Sequence, residues 1–250
     1  MSNRPDLLIE FEGLYNFRDI GGLETEDGAQ SRKNVVYRSD AFGNLTEADA
    51  HVLLSDLNVE RLIDLRADRE VEAESPTLIH VDSVEIRRRP IDNGPGTAIE
   101  SAPAGERLAF RYLEYLEYAS SSIVGVIRDL AEPEQKVTIM HCRAGKDRTG
   151  VAVATVLSLI GVIPDEIVRD YALTSIGMPK IMARLRESPV YQNNVNRLPE
   201  EMYSSKEVTM RQFLKVVADR HGSLTEWSLA HGVSADELAA LKANLTTRAS

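Results

Sequence analysis

The feature that most constrains this chain is a ten-residue loop, residues 141–150 (HCRAGKDRTG), which lies between two apolar segments. The short apolar run 137–140 before it predicts a strand, and the apolar run 151–154 after it predicts the start of a buried helix. In a strand–loop–helix unit, the backbone N–H groups of the loop and of the helix N-terminus favour a negative charge at one point. The sequence therefore predicts an anion-binding loop.

The only cysteine of the chain, Cys142, lies at the start of this loop. A thiol at a helix N-terminus and beside an arginine is stabilised as a thiolate, which is the nucleophilic form. Arg148 offers a planar guanidinium group that suits two oxygens of a phosphate. These features predict attack on phosphorus, with a buried structural cysteine as the alternative. The predicted phosphate-binding residues are Arg143, Ala144, Gly145, Lys146, Asp147 and Arg148.

The loop resembles the signature His-Cys-x-x-Gly-x-x-Arg-Thr-Gly of cysteine-dependent protein-tyrosine and dual-specificity phosphatases. Its narrower form, Cys-x-x-Gly-Lys-Asp-Arg, is similar to the loop of the bacterial atypical tyrosine and phosphoinositide phosphatases. Segments 16–22 (NFRDIGG), 37–39 (YRS) and 63–66 (IDLR) resemble further motifs of that family. With the closing helices near the C-terminus, the resemblance extends from about residue 13 to about residue 245.

The resemblance implies a metal-independent phosphatase that works through a cysteinyl-phosphate intermediate and needs no cofactor. It implies phosphotyrosine as the main substrate, with phosphoserine, phosphothreonine and phosphoinositides as further substrates. Two alternatives stay open. One is a strictly lipid-directed phosphoinositide phosphatase, and the other is an inactive module that binds phosphorylated partners without turnover. Inactive relatives usually lose the cysteine or the arginine, and this chain has both Cys142 and Arg148.

Composition and charge favour one enzymatic domain, residues 1–250. The formal net charge of −10 argues against a nucleic-acid partner, so a local positive site must attract the phosphate of the substrate. Apolar runs stay well short of the 18 or so residues of a membrane span, and residues 1–11 contain no signal-peptide core. We therefore expect the protein in the cytoplasm, or secreted without a recognisable signal peptide.

Short β-branched or apolar runs alternate with helical patterns along the first 160 residues, which predicts an α/β fold with a mostly parallel sheet. The resemblance implies the fold of the cysteine-dependent tyrosine phosphatases. A single long helix is predicted from residue 108 to residue 130. The predicted strands are 35–38, 61–65, 84–89 and 137–141.

The chain after residue 159 has a helical pattern, with helices predicted from Pro164, over 207–220 and after the capping residue Ser234. The resemblance implies a mobile helical lid over the active site at about residues 176–213. The alternative for this segment is an ordinary surface hairpin of two helices.

Three aspartates are candidates for the general acid that protonates the leaving oxygen. Asp147 lies in the loop and ranks first because the resemblance favours it. Asp64 follows a predicted strand, so it should project near the same edge of the sheet. Asp92 lies on a loop after a strand, as the general acid of many dual-specificity phosphatases does. Each of the three could instead be a turn or capping residue.

Three further residues have predicted supporting roles in the loop. Thr149 is expected to donate its hydroxyl to the sulfur of Cys142, and His141 to fix the geometry of the loop by hydrogen bonding. Lys146 either adds positive charge at the mouth of the site or is a solvated lysine that offsets Asp147. Because no histidine lies near carboxylates at ligand spacing, we expect no metal site.

Overall fold

The central sheet of the computed structural model determines where the predicted loop lies. The structure describes residues 8–73, 84–96, 100, 102–103, 105–187 and 200–248. Within these residues the strands are β1 (Arg18–Asp19), β2 (Ala29–Ser31), β3 (Val36–Ser39), β4 (Arg61–Asp64), β5 (Glu85–Arg88), β6 (Thr138–His141) and β7 (Thr246–Arg248).

Strand β6 is the middle strand of a five-stranded sheet in the described part of the chain, with the order β1-β3-β6-β4-β5. β3, β6, β4 and β5 run parallel, whereas β1 pairs antiparallel with β3. The mostly parallel sheet is thereby confirmed, with each predicted strand within one residue of its predicted bounds. The edge strand β1 and the separate antiparallel pair of β2 with β7 were not predicted, because strands of two or three residues show too little alternation.

Helices and turns cover both faces of this sheet. The sequence correctly predicted the helices that begin at Pro164 and Glu207, and the last helix is capped by Ser234 as expected. In chain order the helices are α1 (Glu47–His51), α2 (Asp68–Glu72), α3 (Arg107–Tyr118), α4 (Ser120–Ala131), α5 (Asp147–Leu159), α6 (Pro164–Glu187), α7 (Glu207–His221), α8 (Leu224–Ala230) and α9 (Ala235–Leu245). Short helical turns lie at Phe42–Asn44, Val52–Asp56 and Glu200–Tyr203.

The long helix predicted from residue 108 to residue 130 is wrong, because the structure has two helices there. Ala119 leaves the helical conformation, with φ −121° and ψ 27°, and separates α3 from α4. The two halves pack against different partners, α3 against α7 and α4 against α9. Serines 120–122 directly after the break have a lower helix propensity than alanine or leucine, which permits the change of direction.

Helix α5 lies in the largest of three hydrophobic clusters in the described part of the chain, and this packing fixes the end of the loop before it. Val151 and Val156 of α5 are fully buried in that cluster. Because side chains alternate along a strand, Met140 of β6 faces the same cluster. Ile139 faces a second cluster on the opposite side of the sheet. The loop thus connects two core elements.

The segment predicted to be a lid is only partly described. Residues 188–199 lie outside the described residues, whereas the ends of the segment belong to α6 and α7. The lid therefore stays a prediction. Among the residues that the structure describes, no helix is both long and apolar enough to cross a membrane.

Candidate active site

Cys142 lies directly after the central strand β6 and in front of the N-terminus of α5. Its side chain is buried, with 2% of its surface exposed, and its thiol is free. Residues 143–146 lead from Cys142 into α5, which begins at Asp147. The strand–loop–helix unit predicted from the sequence is therefore present.

Gly145 allows the loop to approach the end of strand β3 closely. Its φ is +63°, a conformation that residues with a side chain rarely adopt. A Cβ atom at this position would lie 2.4 Å from the backbone oxygen of Ser39 and 2.8 Å from Nδ2 of Asn16. Only glycine fits this turn of the loop.

Two buried side chains hold the outer carbonyl groups of the loop. Nδ2 of Asn16 donates to the carbonyl oxygens of Ala144 and Gly145, each at 3.0 Å, and Arg38 donates to that of Gly145 at 2.7 Å. In a planar trans peptide the N–H points away from the C=O. Holding these carbonyls outward therefore turns the N–H groups of Gly145 and Lys146 to the opposite side, where an anion can bind.

The buried carboxylate of Asp170, on α6, braces these two supports. It accepts a hydrogen bond from Nε of Arg18 at 2.8 Å and another from Arg38. Arg18 in turn donates to the side-chain oxygen of Asn16. Burial alone would raise the pKa of Asp170, but the two arginines lower it, so the carboxylate stays ionised. Arg18 and Arg38 lie in segments that resemble family motifs, whereas Asp170 has no sequence signal.

Glu70, on α2, holds the guanidinium group of Arg148. The terminal nitrogens of Arg148 donate to both carboxylate oxygens of Glu70, one of these bonds being 2.8 Å long. Burial would lower the pKa of Arg148, but its hydrogen bonds to Glu70 and the nearby Cys142 raise it well above its usual range. Two of the five N–H donors of Arg148 are thus used, and three are left for a phosphate. Nothing in the sequence around Glu70 indicated this role.

Asp147 is fixed through one of its two oxygens. The hydroxyl of Tyr112 donates to Oδ1 of Asp147 at 2.7 Å, and Nζ of Lys146 lies 3.1 Å from the same atom. The side chain of Asp147 is 30% exposed. It therefore combines a fixed position with access to the solvent side of the loop.

The prediction that Lys146 is a solvated lysine needs correction. The side chain is only 2% exposed, so it is not a solvated lysine. Its ammonium group donates to the carbonyl oxygens of Met202, at 2.6 Å, and Ser204, at 3.2 Å, in addition to its contact with Asp147. Two donors of the ammonium group are thus used by backbone carbonyls. Lys146 therefore ties the loop to Met202 in the turn Glu200–Tyr203 and to Ser204 directly after it, and it also lines the cleft.

Asp64 and His141 pair across strands β4 and β6, at the edge of the sheet where the sequence predicted them. The carboxylate of Asp64 accepts hydrogen bonds from the backbone N–H and the guanidinium group of Arg66 and lies 2.6 Å from Arg88. Burial would raise the pKa of Asp64, but nearby His141 and the bonds from Arg66 hold it well below its usual range. Asp64 is thus a saturated, ionised structural carboxylate.

His141 is buried and neutral. Its ring packs edge-on against Phe42, with ring centroids 4.6 Å apart, and Nε2 lies 3.8 Å from Oδ1 of Asp64. Burial lowers the pKa of His141 to about 4. The ring of His141 is therefore packed in the core beneath the loop.

Acid is expected to destabilise the fold through His141. Between about pH 6.5 and pH 4 the unfolded chain binds a proton at this residue and the folded chain does not, so the free energy of unfolding falls by about 3 kcal/mol as the pH is lowered. Denaturant unfolding of the wild type and of His141→Gln at several pH values measures this difference. The wild type should lose stability more steeply than the variant, and parallel pH curves would contradict the assignment.

The hydrogen bond predicted from Thr149 to the sulfur of Cys142 is absent from this structure. Thr149 is fully buried in the first turn of α5, and its hydroxyl has no hydrogen-bond partner among the described residues.

Asp92 is 62% exposed and lies 3.6 Å from Arg69, near the opening of the site. The carboxylate of Asp92 therefore lies at the mouth of the site.

Cys142, Asp147, Arg148 and Asp92 line one cleft of about 590 Å³. Although the chain as a whole is acidic, the described residues around the cleft include more cations than carboxylates. The cations are Arg69, Arg111, Arg143, Lys146 and Arg148, and the carboxylates are Glu70, Asp92 and Asp147. Apolar walls are contributed by Ile91, Leu108, Met178, Leu185 and Met202, with Tyr115 beside them.

Asp64 and His141 are not among the described residues that line this cleft, whereas Cys142, Asp92, Asp147 and Arg148 are. A larger cavity of about 900 Å³ shares Met178 and Tyr203 with the cleft and contains none of the loop residues 142–148. In the described part of the chain, no three His, Cys, Asp or Glu side chains are grouped so that they could hold a metal ion. The thiol of Cys142, the guanidinium group of Arg148 and the carboxylates of Asp92 and Asp147 all line the cleft.

Comparison with known proteins gives matches along most of the chain. The model described as "Tyrosine phosphatase family" matches residues 9–247. The triple specificity protein phosphatase PtpB of Mycobacterium tuberculosis is 28% identical over 228 residues, which cover 79% of this chain and 80% of that protein. A tyrosine-protein phosphatase of Nostoc commune is 32% identical over 149 residues, which cover 57% of this chain and 50% of that protein.

Solved structures with some similarity have lower sequence identity. The core catalytic domain of the PP-IP phosphatase SIW14 from S. cerevisiae is 13% identical, with a TM-score of 0.42, and the match covers 87% of this chain and 97% of that chain. TpbA of P. aeruginosa is 15% identical, with a TM-score of 0.37, and the match covers 83% of this chain and 91% of that chain. Neither similarity bears on the substrate.

Proposed function

This chain belongs to the tyrosine phosphatase family, as its sequence predicted, and we propose that it hydrolyses phosphate monoesters by two-step phosphoryl transfer through Cys142. The observation that carries the proposal is that Cys142, Arg148 and Asp147 line the same cleft. The thiolate of Cys142 attacks phosphorus, and the bond from phosphorus to the leaving oxygen breaks. Water then attacks the cysteinyl phosphate, which releases inorganic phosphate and restores the thiolate.

Phosphate binding is assigned to the loop and to Arg148. The remaining N–H donors of Arg148 and the N–H groups of Gly145 and Lys146, whose peptide carbonyls are held outward, are the donors assigned to the phosphate. Such fixed donors stabilise the charge on the phosphate oxygens as the bond to sulfur forms, and they need no rearrangement during the reaction. This arrangement supplies positive charge to the phosphate without a metal ion or cofactor.

Asp147 is assigned as the general acid, and Asp92 is the alternative. Asp147 lines the cleft next to Arg148, and only its Oδ1 is held by other residues. Asp92 also lines the cleft, but it is largely exposed and lies beside Arg69. Asp64 is the weakest of the three candidates because Arg66 and Arg88 already saturate its carboxylate. After Asp147 has given its proton to the leaving oxygen, its carboxylate accepts a proton from the water that attacks the cysteinyl phosphate.

Asp147→Asn is expected to lower kcat by roughly 10²-fold or more for a poor leaving group such as phenol. The effect should be much smaller for p-nitrophenol, because a good leaving group needs little protonation. Steady-state kinetics with phenyl phosphate and p-nitrophenyl phosphate measures the two effects, with Asp92→Asn as the matched variant. Equal losses on both substrates would remove Asp147 from the acid role, and a selective loss in Asp92→Asn would transfer that role to Asp92.

Phosphotyrosine is the substrate that the cleft supports best. Apolar side chains such as Leu108, Met178 and Leu185 flank the loop, and they suit the flat ring of a phosphorylated tyrosine. The mycobacterial relative is a triple specificity protein phosphatase, which supports substrates besides phosphotyrosine. We propose phosphoserine, phosphothreonine and phosphoinositides as these further substrates. A chain with a single cysteine cannot form an intramolecular disulfide, which favours a reducing compartment. We therefore propose the cytoplasm as the location, with secretion as the alternative.

Turnover on four substrates in the presence of EDTA tests this function. We expect a phosphotyrosine peptide to be hydrolysed faster than phosphoserine and phosphothreonine peptides and than a phosphoinositide in mixed micelles. Hydrolysis of the phosphoinositide alone would favour the strictly lipid-directed enzyme. Tight binding of a phosphotyrosine peptide without release of phosphate would favour the phospho-binding module. Activity that EDTA abolishes would contradict the metal-independent mechanism.

A further inference from the structure

Behind Asp147 lies a pair of buried tyrosines that the mechanism above does not use. Tyr112, on α3, donates its hydroxyl to Oδ1 of Asp147, and its oxygen lies 2.7 Å from the hydroxyl of Tyr171, on α6. Both side chains are almost completely buried, with exposures of 0% and 1%. The rings meet edge to face, with centroids 6.0 Å apart. A hydrogen-bonded chain thus runs from Tyr171 on α6 through Tyr112 on α3 to Asp147 at the start of α5.

The direction of these hydrogen bonds follows from the chemistry of the groups. Burial, together with the negative charge of Asp147, raises the pKa of both tyrosines above the usual range, so each hydroxyl keeps its proton. The hydroxyl of Tyr112 donates this proton to Oδ1 of Asp147 in a hydrogen bond. The oxygen of Tyr112 is then left to accept the proton of Tyr171, which makes Tyr171 the outer end of the chain.

We propose that Tyr112, supported by Tyr171, is a positioning residue that directs the catalytic proton of Asp147 to Oδ2. The inference rests on the proposed role of Asp147 as general acid. Tyr112 and Lys146 both contact Oδ1, and no described residue forms a hydrogen bond with Oδ2. A proton on Asp147 therefore binds to Oδ2, where it can pass to the leaving oxygen, and Tyr112 keeps the carboxyl group from rotating.

The test is Tyr112→Phe, which removes one hydroxyl and keeps the ring. We expect kcat for phenyl phosphate to fall about tenfold, because a hydrogen bond to a charged group is lost, and kcat for p-nitrophenyl phosphate to change less than about twofold. Inhibition by inorganic phosphate should be unchanged, since the phosphate loop is intact. The matched control is Tyr37→Phe, which removes the hydroxyl of a buried tyrosine on β3 that donates to Asn34 in the turn before this strand, and it should change neither rate.

Two comparisons separate this inference from the proposed function. Adding Tyr112→Phe to Asp147→Asn should cause no further loss on phenyl phosphate, because the acid is already absent. If Asp147→Asn shows a leaving-group effect and Tyr112→Phe does not, the positioning role is wrong and the acid assignment stands. If Asp147→Asn itself shows none, the acid assignment fails.

A second variant keeps the inference testable if Tyr112→Phe does not fold. Tyr171→Phe leaves the bond from Tyr112 to Asp147 in place but removes the donor that orients it. We expect a smaller loss of about threefold, again confined to phenyl phosphate. Equal losses on both substrates in Tyr171→Phe, or a change in inhibition by phosphate, would overturn the proposal in favour of a purely structural role.

Discussion

Cys142→Ser is expected to abolish turnover, lowering kcat for p-nitrophenyl phosphate by at least about 10⁴-fold. A serine hydroxyl at this position stays protonated at neutral pH, so it cannot replace the thiolate as the nucleophile. Because the chain contains no other cysteine, no second thiol can substitute for Cys142. Steady-state release of phosphate by matched preparations of wild type and variant gives the ratio.

The variant should keep its affinity for a phosphotyrosine peptide, because the loop amides and Arg148 are unchanged. Isothermal titration with the non-hydrolysed peptide checks this point and also shows that the variant is folded. A variant that retains more than about one hundredth of the wild-type kcat would contradict the role of Cys142.

The second large effect is expected for Arg148→Lys, with a loss of about 10³-fold in kcat. A lysine keeps the charge but has no planar fork, so it cannot hold Glu70 and two phosphate oxygens at once. Because these contacts strengthen as charge develops in the transition state, kcat should fall more than KM rises. Steady-state kinetics with p-nitrophenyl phosphate separates the two constants.

Two variants serve as controls for Arg148→Lys. Arg128→Lys changes an exposed arginine that pairs with Glu237 at the surface, and its activity should equal that of the wild type. Glu70→Gln keeps Arg148 but weakens the contact that orients it. The expected loss of kcat therefore lies between that of Arg128→Lys and that of Arg148→Lys. A full loss in Glu70→Gln with little loss in Arg148→Lys would show that Glu70, and not Arg148, carries the function assigned here to the arginine.

The sequence was sufficient to predict the central unit of the site because all its parts are adjacent in the chain. Strand β6, Cys142, the loop and α5 follow one another within residues 138–159, so local patterns determine their order and geometry. The parallel strands were likewise predicted from their short β-branched runs. The break at Ala119 was missed because the periodicity of α3 and α4 is continuous, and only packing against α7 and α9 separates them.

The residues that hold the loop were beyond sequence reasoning because tertiary packing alone brings them to it. Asp170 is 132 residues from Arg38, and Glu70 is 78 residues from Arg148. An aspartate or glutamate on a helix is usually solvated, so neither residue carries a signal of its own. The same applies to Lys146, whose ammonium group is buried only because the segment around Met202 lies over it. Such contacts depend on which elements pack together.

Chemical quench of the wild type during turnover of p-nitrophenyl phosphate, followed by mass spectrometry of the intact protein and its peptides, tests the central claim most directly. The mechanism predicts one phosphate bound to the enzyme, located on Cys142, and no such species in Cys142→Ser. Turnover without any phosphorylated enzyme at the earliest times, or a phosphate on another residue, would contradict nucleophilic catalysis by Cys142.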